Sequence, residues 1–216
     1  MCIRDRSRGD APPITDAVVV NLPKLVIEED GVRIERLTPA RYAAEHEVYD
    51  AFTSGKHCCC LFSLSQPESA RKRDAWPESK RWLSAVAVDL ATDAVIGTIQ
   101  GVGFGDPCDM HTCKRGELHV EHLAVSAGAR GKGVGTKLLR WMEAAARDRR
   151  CATLTLGVLR GNPARRLYER FGFEVKRHDC CDEAVSCCFV TFVMGRPYGL
   201  CHASWGGDDM VKTLET

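Results

Sequence analysis

No apolar run in the chain approaches the length of a membrane span, and no apolar segment near its start has the form of a secretion signal. Those absences point to a soluble, reduced protein of the cytoplasm with no membrane partner. Net charge is almost absent too. The 30 Lys and Arg against 29 Asp and Glu give a formal charge of +1, which argues against general nucleic-acid binding, because that affinity comes chiefly from excess cations facing phosphates. There is no internal repeat, and the 216 residues suit one domain with tails. Among the twelve cysteines there is no C-x-x-C pair. Cys58-Cys59-Cys60, Cys180-Cys181 and Cys187-Cys188 are adjacent and so poor chelators of one ion. Cys108-Pro-Asp-Met-His111-Thr-Cys113 holds soft ligands in one loop, yet small apolar filler and surface thiols account for these cysteines, and no metal is expected.

What is present is concentrated in one stretch. Glu117-Leu-His-Val-Glu-His-Leu-Ala-Val125 reads as a strand and Ser126-Ala-Gly-Ala-Arg130-Gly-Lys-Gly-Val-Gly135 as a turn and glycine loop. Val134, Leu138, Trp141, Met142 and Ala145 then recur at three- and four-residue spacing, the apolar face of a helix, while Lys137, Arg140 and Glu143 fall off that face. Glycines at 131, 133 and 135 let a ligand approach the backbone, and the helix start offers unpaired N–H groups; together they make an anion site. Between Arg130 and Arg170 basic residues outnumber acidic ones, which suits a polyphosphate. The order Gly135-Thr136-Lys137 and the G-x-G-x-G spacing match neither a dinucleotide G-x-G-x-x-G nor a phosphate loop ending Gly-Lys-Ser/Thr.

A second segment narrows the choice. Ala152-Thr-Leu-Thr-Leu-Gly-Val-Leu159 alternates like a buried strand and runs into Arg160-Gly-Asn162-Pro-Ala164-Arg-Arg-Leu-Tyr168-Glu-Arg-Phe-Gly172-Phe173. Arg130-Gly-Lys-Gly-Val-Gly135 resembles the R-x-x-G-x-G pyrophosphate loop of the GNAT superfamily of acyl-CoA-dependent N-acetyltransferases. The later segment resembles that superfamily's strand followed by Asn-x-x-A-x-x-L-Y-x-x-x-G-F, in the right order and at the right distance. The resemblance covers roughly residues 31 to 195.

The resemblance implies an α/β (α+β) GNAT fold, a central mixed but mostly antiparallel sheet flanked by helices, and acetyl-CoA as co-substrate. It places the pantetheine amides on the backbone of Leu123, Ala124 and Val125. The pyrophosphate falls to Arg130, Gly131, Lys132, Gly133, Val134, Gly135 and Thr136, the pantetheine arm to Asn162 with Ala164, and protonation of the departing thiolate to Tyr168. A tyrosine of ordinary pKa, about 10, is a reasonable acid toward a thiolate. The general base is sought on the first strand. Glu117, His119, Glu121, Leu123 and Val125 share one face by alternation unless a bulge intervenes, with His122 on the other. Glu121 is the favoured base and His119 the next. The implied reaction moves an acetyl group to a primary amine, on a small molecule or a protein, by direct attack. Two alternatives stand beside it: a CoA-binding regulatory module with little catalysis, and another acyl-CoA donor. Monomer and homodimer are both compatible.

The rest of the chain reads around these motifs. Residues 1–24 form an irregular tail, 25–196 the domain, and 197–216 a loose tail rich in Gly, Asp and Ser. Leu25–Ile27 and Val32–Leu37 are short strands, and Thr38-Pro39 opens a helix over Ala40–Phe52. A further helix is expected around Glu68–Trp76, and Ser84–Leu90 with Ala94–Phe104 forms a hairpin. Glu174–His178 and Ala184–Met194 read as a closing antiparallel pair.

Overall fold

Short-range turn chemistry builds the first half of the sheet. A computed structural model of the protein describes residues 25–53, 71, 73–106, 111–176 and 207–215. Strands β1 (Ile27–Glu29) and β2 (Val32–Arg36) pair across Asp30 and Gly31, whose φ angles are 52° and 72°. Two left-handed residues in succession are what a two-residue hairpin loop requires. A 3-10 turn at Pro39–Arg41 leads into α1 (Tyr42–Thr53), as the Thr38-Pro39 signal predicts. Arg71, Arg73 and Asp74 are helical, within the helix expected near residue 70. The one-turn helix α2 (Glu78–Arg81) follows Pro77. Strands β3 (Ser84–Asp89) and β4 (Val95–Gly103) form the expected hairpin, with Asp93 left-handed at 55° in its turn.

The second half carries the motifs. β5 (Glu117–Val125) leads through a 3-10 turn at Ala127–Ala129 and the glycine loop into α3 (Val134–Asp148). β6 (Thr153–Leu159), α4 (Arg165–Arg170), β7 (Glu174–Val175) and β8 (Gly207–Thr213) follow. The sheet runs β1-β2-β3-β4-β5-β6-β8-β7, antiparallel except for β5 and β6. Parallel neighbours need a crossover, and α3 supplies it. The mixed, mostly antiparallel sheet agrees with the fold expected from the resemblance.

The apolar stripe of α3 packs on one face of the sheet. Leu138, Leu139 and Met142 are fully buried, and Trp141 nearly so, against Ile99, Leu118, Leu154 and Leu156. Each such side chain contributes roughly 1.5–3 kcal/mol on burial, so this stripe dominates the stability of the motif region. Lys137 departs from the sequence expectation. It is only 4% exposed, and its ammonium bonds Asp30 Oδ2 at 2.9 Å, tying α3 to the β1–β2 turn. The helix α1 covers the opposite face, over β4 and β5.

One boundary is corrected. The segment after residue 196 is not wholly a loose tail, because β8 is inserted between β6 and β7 with Met210 and Leu214 buried. The inward position that disguises it is Asp208, 4% exposed, held by Arg160 Nε at 2.8 Å and Arg165 Nη1 at 2.5 Å. The second closing strand expected at Ala184–Met194, the N-terminal tail and the paired cysteines lie outside the described residues.

Candidate active site

The glycine loop is shaped by two left-handed positions, Gly131 at φ 77° and Gly133 at φ 76°. Side chains strain there, and Gly131 has nothing within 4 Å of where a Cβ would stand. Gly135 serves a different end from the one its motif suggests. A Cβ on it would lie 2.9 Å from Leu167 Cδ2, so the glycine lets α4 close against α3. Lys137 N–H makes the first helical bond, to Gly133 C=O, which leaves the N–H groups of Val134, Gly135 and Thr136 ahead of the ladder. Exposed Arg130 folds back so that its Nε donates to Val125 C=O at 3.1 Å. Lys132 is exposed on the same loop. These groups suit a pyrophosphate: donors outside the helix ladder, the positive end of a helix dipole and two cations.

Between β5 and β6 the sheet opens. The parallel pairing runs from Glu117↔Thr153 to Val120↔Leu156 and stops, while β4 stays paired with β5 as far as Val125. Among the described residues no strand lies beside the β6-facing backbone edge of Glu121–Val125, directly ahead of the glycine loop. Leu123 and Val125 turn their side chains toward Gly135, and Ala124 is 1% exposed. All three leave their backbone at this edge.

A bulge decides which strand side chains meet. Gln100 pairs with His122 but Gly101 pairs with Val120, so Glu121 is the extra residue. Beyond it alternation restarts, and the expected common face divides. Thr98, Gln100 and Val102 of β4 lie opposite Ala124, His122 and His119, so both histidines share the α1 face, while Leu123 and Val125 go to the α3 face. The separation of His122 from His119 read from alternation is thus corrected, because one inserted residue shifts the period by one. Glu121, at the bulge, lies 3.1 Å from the ammonium of Lys80, itself 4% exposed.

Each histidine has its own setting. The His122 ring lies tilted against Tyr49, centroids 4.6 Å apart, with Nε2 3.9 Å from Glu45 Oε1. That distance is beyond a hydrogen bond. His119 lies in a polar chain: its Nδ1 is 3.0 Å from Thr155 Oγ1, the Thr155 hydroxyl donates to Glu117 Oε1 at 2.7 Å, and His111 Nε2 reaches the same oxygen at 2.7 Å. The His111 and His119 rings stack 4.0 Å apart. Burial, then the nearby His111, pushes the His119 pKa down to about 4, with Glu117 opposing. His119 therefore loses the near-neutral pKa that made it attractive as a base. Burial works against ionising Glu117, but bonds from Lys114 N–H, Thr155 and His111 outweigh it and hold the carboxyl below its ordinary range.

The second motif closes the site. Asn162 Oδ1 accepts from Ala164 N–H at 3.0 Å, fixing the turn into α4 and leaving the side-chain amide donors. Tyr168 is 7% exposed, its ring edge-on to Phe173 at 6.1 Å. Glu45, Thr155 and Lys80 were not singled out from the sequence. For Glu45 a signal existed, since it falls in helical register with buried Val48. An apolar cavity of about 200 Å³ lies elsewhere, lined by Leu25, Trp82 and Trp141 among others, with no residue of β5, β6 or the glycine loop.

Comparison with known proteins agrees with this geometry. A GCN5-related N-acetyltransferase from Kribbella flavida is 21% identical, with a TM-score of 0.61 over 85% of this chain and 98% of its own. The ribosomal-protein-alanine N-acetyltransferase of Brucella melitensis is 22% identical, with a TM-score of 0.56 over 84% and 99%. A Salmonella typhimurium protein assigned as an acetyltransferase, solved with its cofactor acetyl-CoA, is 18% identical, with a TM-score of 0.58 over 86% and 95%. At these identities the likeness is one of fold. No relative was found among the curated proteins. A model of the Acetyltransferase (GNAT) family matches residues 46–173, from within α1 to the residue after Gly172. With more than half its length matched, and with the glycine loop, the parted strands and the Asn162 turn inside that span, the chain belongs to the GNAT acetyltransferase family.

Proposed function

We propose that the protein is an N-acetyltransferase, taking its acetyl group from acetyl-CoA and passing it to a primary amine by direct attack. The observation that carries this reading is the opening between β5 and β6, which leads onto the N-terminus of α3 behind Gly131 and Gly133. A long ligand with amides at one end and a pyrophosphate at the other suits that path. Acetyl-CoA supplies the thioester carbon that the amine attacks and the thiolate that leaves.

The chain's residues then have distinct tasks. The backbone of Leu123, Ala124 and Val125 aligns the pantetheine amides, and Asn162 steadies the arm. Arg130, Gly131, Lys132, Gly133, Val134, Gly135 and Thr136 hold the pyrophosphate, and Ala164 keeps the Asn162 turn in shape. Glu121 takes the proton lost by the attacking nitrogen, and Tyr168 gives one to the thiolate as the C–S bond breaks. Glu121 is preferred to His119 because it stands at the bulge beside the open edge, while burial has removed the basicity that favoured the histidine. Lys80 Nζ, 3.1 Å from a Glu121 carboxylate oxygen, positions that side chain at the bulge.

The test is CoA release from acetyl-CoA against arylalkylamines, polyamines, amino sugars, amino acids, and lysine and N-terminal peptides, including an N-terminal alanine peptide. Product mass is the readout, because twelve cysteines would react with thiol dyes. Acetyl-CoA binding by calorimetry runs alongside. Binding with turnover of one acceptor class supports the proposal; binding with none favours a regulatory module, and no binding overturns both.

A further inference from the structure

The sequence places His111 beside Cys108 and Cys113 as soft ligands, but the fold gives it other company. Cys113 is buried, with its thiol directed at Val102 C=O at 3.4 Å. His111 turns instead toward β5, where one donor atom each of His111, Glu117 and His119 lie within 4.8 Å of one another. We propose that His111, Glu117 and His119 bind one zinc-class divalent ion just below the point where β5 and β6 part, and that its occupancy slows acetyl transfer. The second half rests on the proposed function; the first does not.

Two imidazoles and a carboxylate, with a fourth position left open, form a donor set that zinc accepts in tetrahedral geometry. Imidazole and carboxylate suit borderline ions of this kind better than calcium or magnesium, which take oxygen ligands. Two of the ligands are pre-organised. The Thr155 hydroxyl touches both Glu117 and His119, and Lys114 N–H holds the other Glu117 oxygen at 3.0 Å. Supports of this sort orient metal ligands in general. Glu117 and His119 are 9% and 8% exposed, whereas the His111 side chain is 28% exposed on its loop and gives an ion its way in.

Binding asks for one movement. His111 Nε2 and Glu117 Oε1 are 2.7 Å apart, against about 3.3 Å for tetrahedral ligands at zinc bond lengths. The two rings, 4.0 Å apart and 14° from parallel, must also spread, since no ion lies in the planes of both while they stack. His111, the exposed partner, is the one free to swing. Once bound, a divalent ion beside a single carboxylate leaves net positive charge near the place a cationic amine must reach. It also occupies the imidazole of His119 where that ring stands on the α1 face of the site.

Cobalt(II) titration of the full, reduced chain tests the site, because its spectrum tells nitrogen and oxygen ligands from the many thiols. The expected result is one equivalent showing d–d absorption without a thiolate charge-transfer band. In His111→Ala, and in Glu117→Gln as a second variant, that absorption should need more than about tenfold higher cobalt. A spectrum dominated by thiolate charge transfer, or equal affinity in wild type and His111→Ala, overturns the site. Zinc should lower the wild-type acetylation rate, a chelator should restore it, and the ratio of rates with and without zinc should approach one in His111→Ala. An unchanged wild-type rate at saturating zinc refutes the regulatory half. A chain that binds cobalt as described yet acetylates nothing keeps the site and removes the proposed function.

Discussion

Replacing Glu45 by alanine asks how far the face carrying His119 and His122 depends on one buried ion pair. Glu45, on α1, is 1% exposed and Arg73 is 6% exposed. Arg73 Nη2 bonds Glu45 Oε2, and the Thr98 hydroxyl donates to Oε1 at 3.1 Å. Arg73 Nε and Nη1 are buried without a hydrogen-bond partner, so Glu45 is the acceptor that compensates this guanidinium. Removing it leaves a buried charge alone, which costs about 3–5 kcal/mol out of a total stability of roughly 5–15 kcal/mol. In a chain of 216 residues the melting temperature should fall by about 10 °C. The double variant Glu45→Leu with Arg73→Leu should recover most of the loss, since well-packed apolar residues replace such pairs at little cost. Burial alone would raise the Glu45 pKa, but His122, Arg73 and the Thr98 hydroxyl outweigh it and the carboxyl sits below its ordinary 4.5. At 3.9 Å from Glu45 Oε1, His122 Nε2 is beyond the range of a full hydrogen bond. A carboxyl depressed on folding adds stability above its unfolded pKa and loses it as pH falls through the folded one. The gap between wild type and variant should therefore narrow below pH 4.5. Calorimetric melts at pH 7 and at acid pH check both points. A drop of less than about 2 °C, or a double variant as unstable as the single, would refute the argument.

Folding with neutral His119, whose pKa drops from 6.5 to about 4, makes the unfolded chain bind more protons across that window. Stability should thus fall by up to about 3 kcal/mol as pH drops from 6.5 to 4, and His119→Asn should flatten that slope in melts across the range. Tyr168→Phe should keep acetyl-CoA affinity but turn over about 100-fold more slowly; unchanged turnover with chemistry rate-limiting would remove Tyr168 from its role. Gly133→Ala forces a side chain into φ 76° and should cost about 1–2 kcal/mol, with weaker acetyl-CoA binding by calorimetry.

The parts legible from sequence were those with local causes. The stripe of α3, the helix start at Thr38-Pro39, and the hairpin of β3 and β4 each follow from neighbours within a few residues, and the structure reproduces them. The bulge at Glu121 has no glycine or proline of its own strand to announce its position; it shows only in the pairing, where β5 falls out of step with β4 between Gln100 and Gly101. β8 is hidden in the sequence because its inward residue Asp208 is charged, a burial that Arg160 and Arg165 from elsewhere in the chain make tolerable. The burial of Lys137 is hidden for the same reason, its partner Asp30 being 107 positions away. Of the site, the backbone donors were readable from spacing. Which side chains confront one another on the α1 face was not, because α1 and β5 meet only in three dimensions.

The place of β8 in the sheet also orders events in time. β6 pairs with it between Thr153 and Thr213 and between Leu159 and Gly207, residues 60 and 48 positions apart, and among the described residues β7 has its partner only there. A ribosome therefore finishes the glycine loop and the Asn162 turn well before it makes the strand that closes their sheet. During that interval β6 has one open edge, a template on which the same strand of another nascent chain can dock. Pairings of such long range are also slow to form, so a pause in synthesis shortly before residue 207 should leave the protein more exposed to exchange of β8 between chains than any single substitution in its core.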